Sequence, residues 1–260
     1  MLRSFAVSVS LQMHSCDMRA FMPYPVSPYC LLYYDTSGVF GWQRENYEVT
    51  KRAMGEGGGR LVSALFGERD LVVPRREAYY TKAIRLRRVR FVHPRTDHWL
   101  RLRVVRYAMQ TMSDCSTITY LDSDARILTR DYIYSSDMQS FFFSPSLCVF
   151  AAGEPYETRT FPLTPRGDLV NTHLNTGFLT FKRDACAESF LSRWWRFPIE
   201  YKLAKKYMTE WPFDQGALAR MHLIGKAPEL RIASELCSYN CPNGTYVRHT
   251  WGRRHRPPGN

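Results

Sequence analysis

Thr117-Ile118-Thr119-Tyr120-Leu121-Asp122-Ser123-Asp124-Ala125 is the stretch on which the reading of this chain turns. Its first five residues, mostly β-branched and aromatic, form a short buried-strand pattern, and two carboxylates follow at once. Open α/β sheets bind ligands beyond the carboxyl ends of their parallel strands, so Asp122 and Asp124 stand where a ligand is expected. Two Asp one residue apart can both turn toward one hard divalent cation. That cation can hold a diphosphate the carboxylates alone would repel. Taken alone, the pair also fits two solvated carboxylates at any strand-to-loop junction, so the flanking segments have to decide.

Upstream, Trp99 to Met112 carries apolar residues at helical spacing with Arg101, Arg103 and Arg106 between them, which predicts a helix leading into the strand. Leu61 to Phe66 reads as an earlier buried strand, and Val73 to Lys82 as a short helix opened by Pro74. Downstream, Leu174 to Lys182 reads as a strand, and Asp184 caps a helix to about Phe197. Another helix runs from about Asp214-Gln215 to Ile224, and Arg231-Ile232-Ala233 suits a short strand. Strands alternating with helices predict an α/β fold with a mostly parallel central sheet flanked by helices. Pro23, Pro25 and Pro28, with the glycines from Gly55 to Gly59, set residues 1–58 apart as an N-terminal extension and linker. The main folded domain is then expected at 59–260.

At 260 residues and 45% apolar content, the chain is long enough to bury one enzyme-sized core. Its net charge of +12 comes from 29 Arg and 7 Lys against 24 acidic residues. The Arg are scattered, with no helix-turn-helix, zinc-finger or RNP pattern, so no nucleic-acid partner is expected. The seven Cys are odd in number and mostly isolated among apolar neighbours, which suits free buried thiols better than a disulfide framework. Cys237 and Cys241 are spaced for a local disulfide. Asn243-Gly244-Thr245 is a glycosylation sequon whose meaning depends on entry into a secretory route. No apolar run reaches the roughly 18 to 20 residues of a spanning helix, and Met1 to Leu11 makes no convincing signal segment. Membrane association is therefore expected only through a segment not evident in this chain.

Six segments line up in order: Arg75-Arg76-Glu77-Ala78-Tyr79, Trp99-Leu100-Arg101, Tyr120-Leu121-Asp122-Ser123-Asp124-Ala125, Leu174-Asn175-Thr176-Gly177-Phe178, Asp214-Gln215-Gly216-Ala217-Leu218 and His249-Thr250-Trp251-Gly252. Together they resemble the metal-dependent GT-A nucleotide-sugar glycosyltransferases, most closely glycosyltransferase family 34, across about residues 60–256. The resemblance implies a GT-A nucleotide-diphospho-sugar transferase fold. It implies transfer, with retention, of a hexose or pentose from a UDP- or GDP-sugar to an oligosaccharide or polysaccharide acceptor, in a Golgi or secretory lumen. Asp122, Asp124 and His249 would hold Mn²⁺ or Mg²⁺, with Ser123 near the donor ribose. Asn175 and Gly177 would lie beside the donor sugar, and Gln215, Asp214 and Asn175 would carry the catalytic role. Ser63 would sit by the base at the end of the first strand, with Arg76 and Tyr79 behind it. Arg101, Gly252 and Arg253 would complete the donor site, and the tail holding His249 would fold back over it.

The chain departs from the family pattern at Arg75, where Asn is usual, and at Lys82-Ala83, where His-Gly is usual. Arg253-Arg254-His255-Arg256-Pro257 replaces the usual Lys-Pro, leaving open which cation meets the diphosphate. Single residues also admit plainer roles: a tail histidine for His249, turn chemistry for Asn175-Thr176-Gly177 and a helix cap for Asp214. A GT-A protein that has lost catalysis and serves as a binding or complex subunit is the alternative function.

Overall fold

The structure, a computed structural model, describes residues 29–34, 41–55, 62–66, 97–111, 113, 115–122, 124–153, 160–162, 169–171, 174–210, 213–235 and 237–249. Ten strands are described: β1 (Tyr29–Tyr34), β2 (Val62–Phe66), β3 (Thr117–Leu121), β4 (Ala125–Ile127), β5 (Val149–Gly153), β6 (Thr160–Pro162), β7 (Leu169–Asn171), β8 (Leu174–Lys182), β9 (Leu230–Ile232) and β10 (Val247–His249). The helices are α1 (Gly41–Gly55), α2 (Leu100–Thr111), α3 (Ser136–Phe143), α4 (Ala185–Glu200) and α5 (Phe213–Leu223). The central sheet has six strands in the order β2-β1-β3-β8-β5-β9. β1 runs parallel to β2 and β3, and β9 parallel to β5, while β8 is antiparallel to both its neighbours.

Period-two alternation divides the buried residues between the two faces of this sheet. Cys30, Leu32, Ile118, Tyr120, Leu179 and Phe181 join a core with α2, α4 and α5. Leu31, Leu121, Phe150 and Phe178 join a second core with α3, β4 and Met54 of α1. Thr119 and Thr180 lie opposite each other on β3 and β8, and their buried hydroxyls satisfy one another at 2.8 Å. The expected strands at 117–121 and 174–182 are present, and Asp184 caps α4 by accepting from Ala187 N at 2.9 Å. The helix expected at 73–82 lies outside the described residues.

The expected boundary at residue 58 is corrected by β1, which lies inside the sheet between β2 and β3. Helix α1 belongs to the same body: Thr50 is fully buried, and its Oγ1 accepts from Ile127 N at 2.9 Å. The Pro and Gly residues on either side conceal a six-residue strand too short to announce itself by periodicity. Removing residues 1–58 would take out an interior strand of the sheet.

The expectation of free thiols is corrected too. Cys30 bonds Cys115 and Cys148 bonds Cys186, while the Cys237–Cys241 disulfide that the spacing allowed is present. The first two bridges span 85 and 38 residues, so tertiary packing brings the partners together, β1 beside β3 for the first and the start of β5 beside the first turn of α4 for the second. Both lie toward the amino ends of β1, β3 and β5, opposite the end where Asp122 emerges. No helix among the described residues is long and apolar enough to cross a membrane.

Candidate active site

Everything at the carboxyl end of β3 follows from the direction of β8. Because β8 runs antiparallel, its first residues, Asn175-Thr176-Gly177, stand beside the last of β3, and Asp122 N donates to Gly177 O at 2.9 Å. The chain then turns, with Ala125 N donating to Asp122 O at 2.9 Å, and enters β4. β10 pairs with β4 so that His249 faces Ala125 in the register. This brings His249 Nε2 to 2.7 Å from Asp124 Oδ1 across 125 residues of sequence.

Asp122, Asp124 and His249 thereby form one group whose ligand-type atoms lie within 4.8 Å of one another. The two carboxylates keep 24% and 20% of their side-chain surface open, whereas the imidazole is 5% open. Two hard oxygens and one nitrogen suit a Mn²⁺-type ion, and this donor set fits the expected metal. The space for the ring comes from Gly177. A Cβ there would collide with His249 Cε1 and sit 2.9 Å from Asn175 Oδ1, so this glycine is required by close approach rather than by backbone angle.

A second part of the site is buried beside the first. Arg101 on α2 is 5% exposed. Its Nη1 donates to Thr176 O at 2.8 Å and Thr176 Oγ1 at 2.9 Å and meets Asp122 Oδ1 at 3.1 Å. Its Nε donates to His98 O at 3.0 Å and lies 3.2 Å from Asp214 Oδ2. Burial alone would lower the pKa of this guanidinium, but Asp122 and Asp214, with smaller help from Tyr120 and Asp124, hold it above its ordinary value. Tyr120 donates its hydroxyl to Asp122 Oδ1 at 2.8 Å; burial, and then the Asp122 charge, raise its pKa well above the usual phenol.

Asp214 is 1% exposed, and burial pushes its pKa up to about 7 against the opposing pull of Arg101. Its Oδ2 has the Arg101 ion pair but no hydrogen bond of good geometry among the described residues. Trp194 Nε1 holds the Asp214 backbone carbonyl at 3.0 Å. Phe213, just before it, takes a positive φ of 53°, rare for a bulky residue, and stacks on His98 with centroids 4.5 Å apart. Backbone strain of this kind, where it occurs, clusters at functional sites. Gln215 Oε1 accepts from Thr176 N at 3.3 Å, so Asp214 and Gln215 reach the same strand end as the acidic group.

The structure therefore brings together Asp122, Asp124, His249, Arg101, Asn175, Gly177, Asp214 and Gln215 out of the residues singled out in the sequence. Ser63 does not join them. The first strand of the sheet is β1, and Ser63 lies mid-strand on the edge strand β2, in register with Leu31 and so with Thr119, short of the strand end where Asp122 emerges. Arg76, Tyr79, Ser123, Gly252 and Arg253 lie outside the described residues. Up to His249 the tail is tied to the fold: His249 N donates to Cys241 O at 3.1 Å, and Cys241 is bonded to Cys237. Thr176 and Asn240 were missed because neither carries a chemical signal in sequence; Asn240 Oδ1 lies 2.5 Å from His249 Nδ1.

No family model and no curated protein sequence matches the chain. Solved structures do. A glycosyltransferase involved in glycosylation of the major capsid of PBCV-1 aligns at a TM-score of 0.55 and 12% identity, over 86% of this chain and 93% of its own. The galactosyltransferase LgtC, in complex with donor and acceptor sugar analogs, aligns at 0.50 and 13% identity, over 86% of this chain and 87% of its own. Identities this low speak for architecture alone, and the architecture is the GT-A fold of these glycosyltransferases.

Proposed function

We propose that this protein is a metal-dependent glycosyltransferase that moves a hexose or pentose from a nucleoside-diphosphate sugar to a glycan hydroxyl, with retention of configuration. The observation that carries the reading is the convergence of Asp122, Asp124 and His249, from two chain regions 125 residues apart, at the ligand-binding end of a GT-A sheet. Mn²⁺ or Mg²⁺ held by these three would supply Lewis-acid stabilisation to the departing diphosphate. Arg101 keeps Asp122 in place and balances part of the negative charge that two carboxylates and Asp214 concentrate there.

Asp214 and Gln215 are the groups we assign to the reacting carbon. A carboxylate there stabilises positive charge developing on the sugar, and the Gln215 amide, braced on Thr176, fixes the approach. Asp214 is cut off from bulk water, which strengthens that interaction. The sequence resemblance to family 34 supports retention and the choice of a glycan acceptor. Three disulfides support an oxidising lumen such as the Golgi.

The test is a screen of UDP- and GDP-sugars for Mn²⁺-dependent release of the nucleoside diphosphate, first without and then with oligosaccharide acceptors. Release abolished by Asp122→Asn and by Asp214→Asn supports the reading. A folded protein that binds nucleoside diphosphate with Mn²⁺ yet releases none from any sugar is instead the binding subunit.

A further inference from the structure

Only one of the two ring nitrogens of His249 can face a cation shared with Asp122 and Asp124, so something must settle which. Asn240, nine residues earlier and fully buried, touches the other one. Its Nδ2 donates to Gly153 O on β5 at 3.3 Å, and a carbonyl can only accept, so the orientation of the amide is determined. Oδ1 then faces His249 Nδ1 at 2.5 Å. An amide oxygen cannot donate, so the proton in this contact belongs to Nδ1. Nε2 is then the nitrogen turned to the acidic pair, 2.7 Å from Asp124 Oδ1; a carboxylate also only accepts, so a proton bridges that contact until a cation takes its place.

The loop that carries Asn240 is fastened from several sides. The Cys237–Cys241 disulfide closes it around Asn240. Buried Asp137 on α3 accepts from Ser234 N at 2.7 Å and from Glu235 N at 3.1 Å, and the Tyr239 hydroxyl hydrogen-bonds Ser135 Oγ. Gly177 lies close against the ring at its Cε1 and Nδ1 atoms. The amide is thus held in place independently of the ring it contacts.

We propose that Asn240 is a positioning residue that presets the Nδ1–H tautomer and the orientation of His249, so that Nε2 is the nitrogen offered to the metal. The proposal rests on Asp122, Asp124 and His249 being a metal site. An acceptor on the far nitrogen of a ligating histidine fixes its tautomer and raises its basicity, and loss of such a partner typically lowers metal affinity about 10- to 100-fold.

The experiment uses the full chain with Mn²⁺ alone, titrated by calorimetry, and ¹⁵N–¹H long-range NMR of the imidazoles in the Mg²⁺-saturated protein, where a cation rather than a proton faces Asp124. Asn240→Leu removes the acceptor at similar volume; Asn240→Asp keeps one. The expected result is affinity lowered about 10- to 100-fold in Asn240→Leu, with His249 becoming a mixture of tautomers, and affinity kept in Asn240→Asp. Unchanged affinity and tautomer in Asn240→Leu would overturn the proposal, as would loss in a folded Asn240→Asp protein. Should Asn240→Leu fail to fold, the wild-type spectrum still decides: an Nε2–H tautomer of His249 refutes the assignment without any variant. A wild type that binds no Mn²⁺ at all while showing the Nδ1–H tautomer would instead refute the metal reading and leave the orienting contact standing.

Discussion

The two halves of the candidate site solve the same problem, concentrated charge, in opposite ways. Around Asp214 the charge is already balanced inside the protein: Arg101 reaches both Asp214 and Asp122, and it and Asp214 are cut off from water. Around Asp124 and His249 the carboxylates remain partly open, and the histidine arrives on a strand near the end of the described chain. The buried half is built into α2 and α5, so its charges belong to the stability of the fold. The open half uses charges whose natural counterpart is a ligand, so removing them should affect binding and leave the fold standing.

The sharpest way to break this comparison is to remove the shared cation. Arg101→Ala strands Asp214 and leaves Asp122 without its buried partner; breaking a buried pair from one side typically destabilises by about 3–5 kcal/mol. Urea unfolding should show a loss of that order. A loss below about 1 kcal/mol, the level of an exposed pair, would mean the buried half is not internally balanced. Next in size, Asp124→Asn should abolish measurable Mn²⁺ binding by calorimetry while the urea midpoint stays close to wild type, and Asp122→Asn should abolish it with some loss of stability, because Asp122 also pairs with buried Arg101. A fold that collapses in Asp124→Asn would erase the distinction between the halves.

Gly177→Ala tests the seam between them. The new methyl group has to displace the His249 ring, so Mn²⁺ affinity should fall roughly tenfold, the size of effect seen when a ligand's supporting contact is lost, with little loss of β8. Unchanged affinity would show that the ring can shift without leaving the cluster. A smaller effect concerns pH. Asp214 has its folded pKa raised to about 7 from 3.8, so the folded state binds the proton more tightly than the unfolded state does. Its contribution to stability is full below pH 3.8 and is lost as pH rises through about 7. Asp214→Asn should flatten that part of the stability profile measured by chemical unfolding, whereas Asp124→Asn should leave it in place. If the ionised carboxylate serves the reacting carbon, wild-type donor turnover rises across the same interval as stability falls.

Much of this was legible in the sequence, and the reason is range. A strand five residues long, a helix capped by Asp184 and a pair of carboxylates at a strand end are each specified by neighbours within a few positions. So β3, β8, α2, α4 and α5 could be read directly, and with them the acidic pair Asp122 and Asp124, whereas Arg101, Asn175, Gly177, Asp214 and Gln215 were pointed out only by the family resemblance. β1 was obscured because Pro and Gly on either side outweighed a six-residue apolar run that only its place between β2 and β3 explains.

What tertiary structure alone decided is which distant residues meet. Cys30 finds Cys115 because β1 and β3 are adjacent, and His249 finds Asp124 because β10 pairs with β4 in one register and no other. Asn240 acquires a role only once Gly153 has taken one side of its amide and left the other for the ring. Side-chain periodicity and caps are local and can be read along the chain. Strand order, register and the mutual orientation of buried polar groups arise from packing across the sheet, which the folded chain alone supplies.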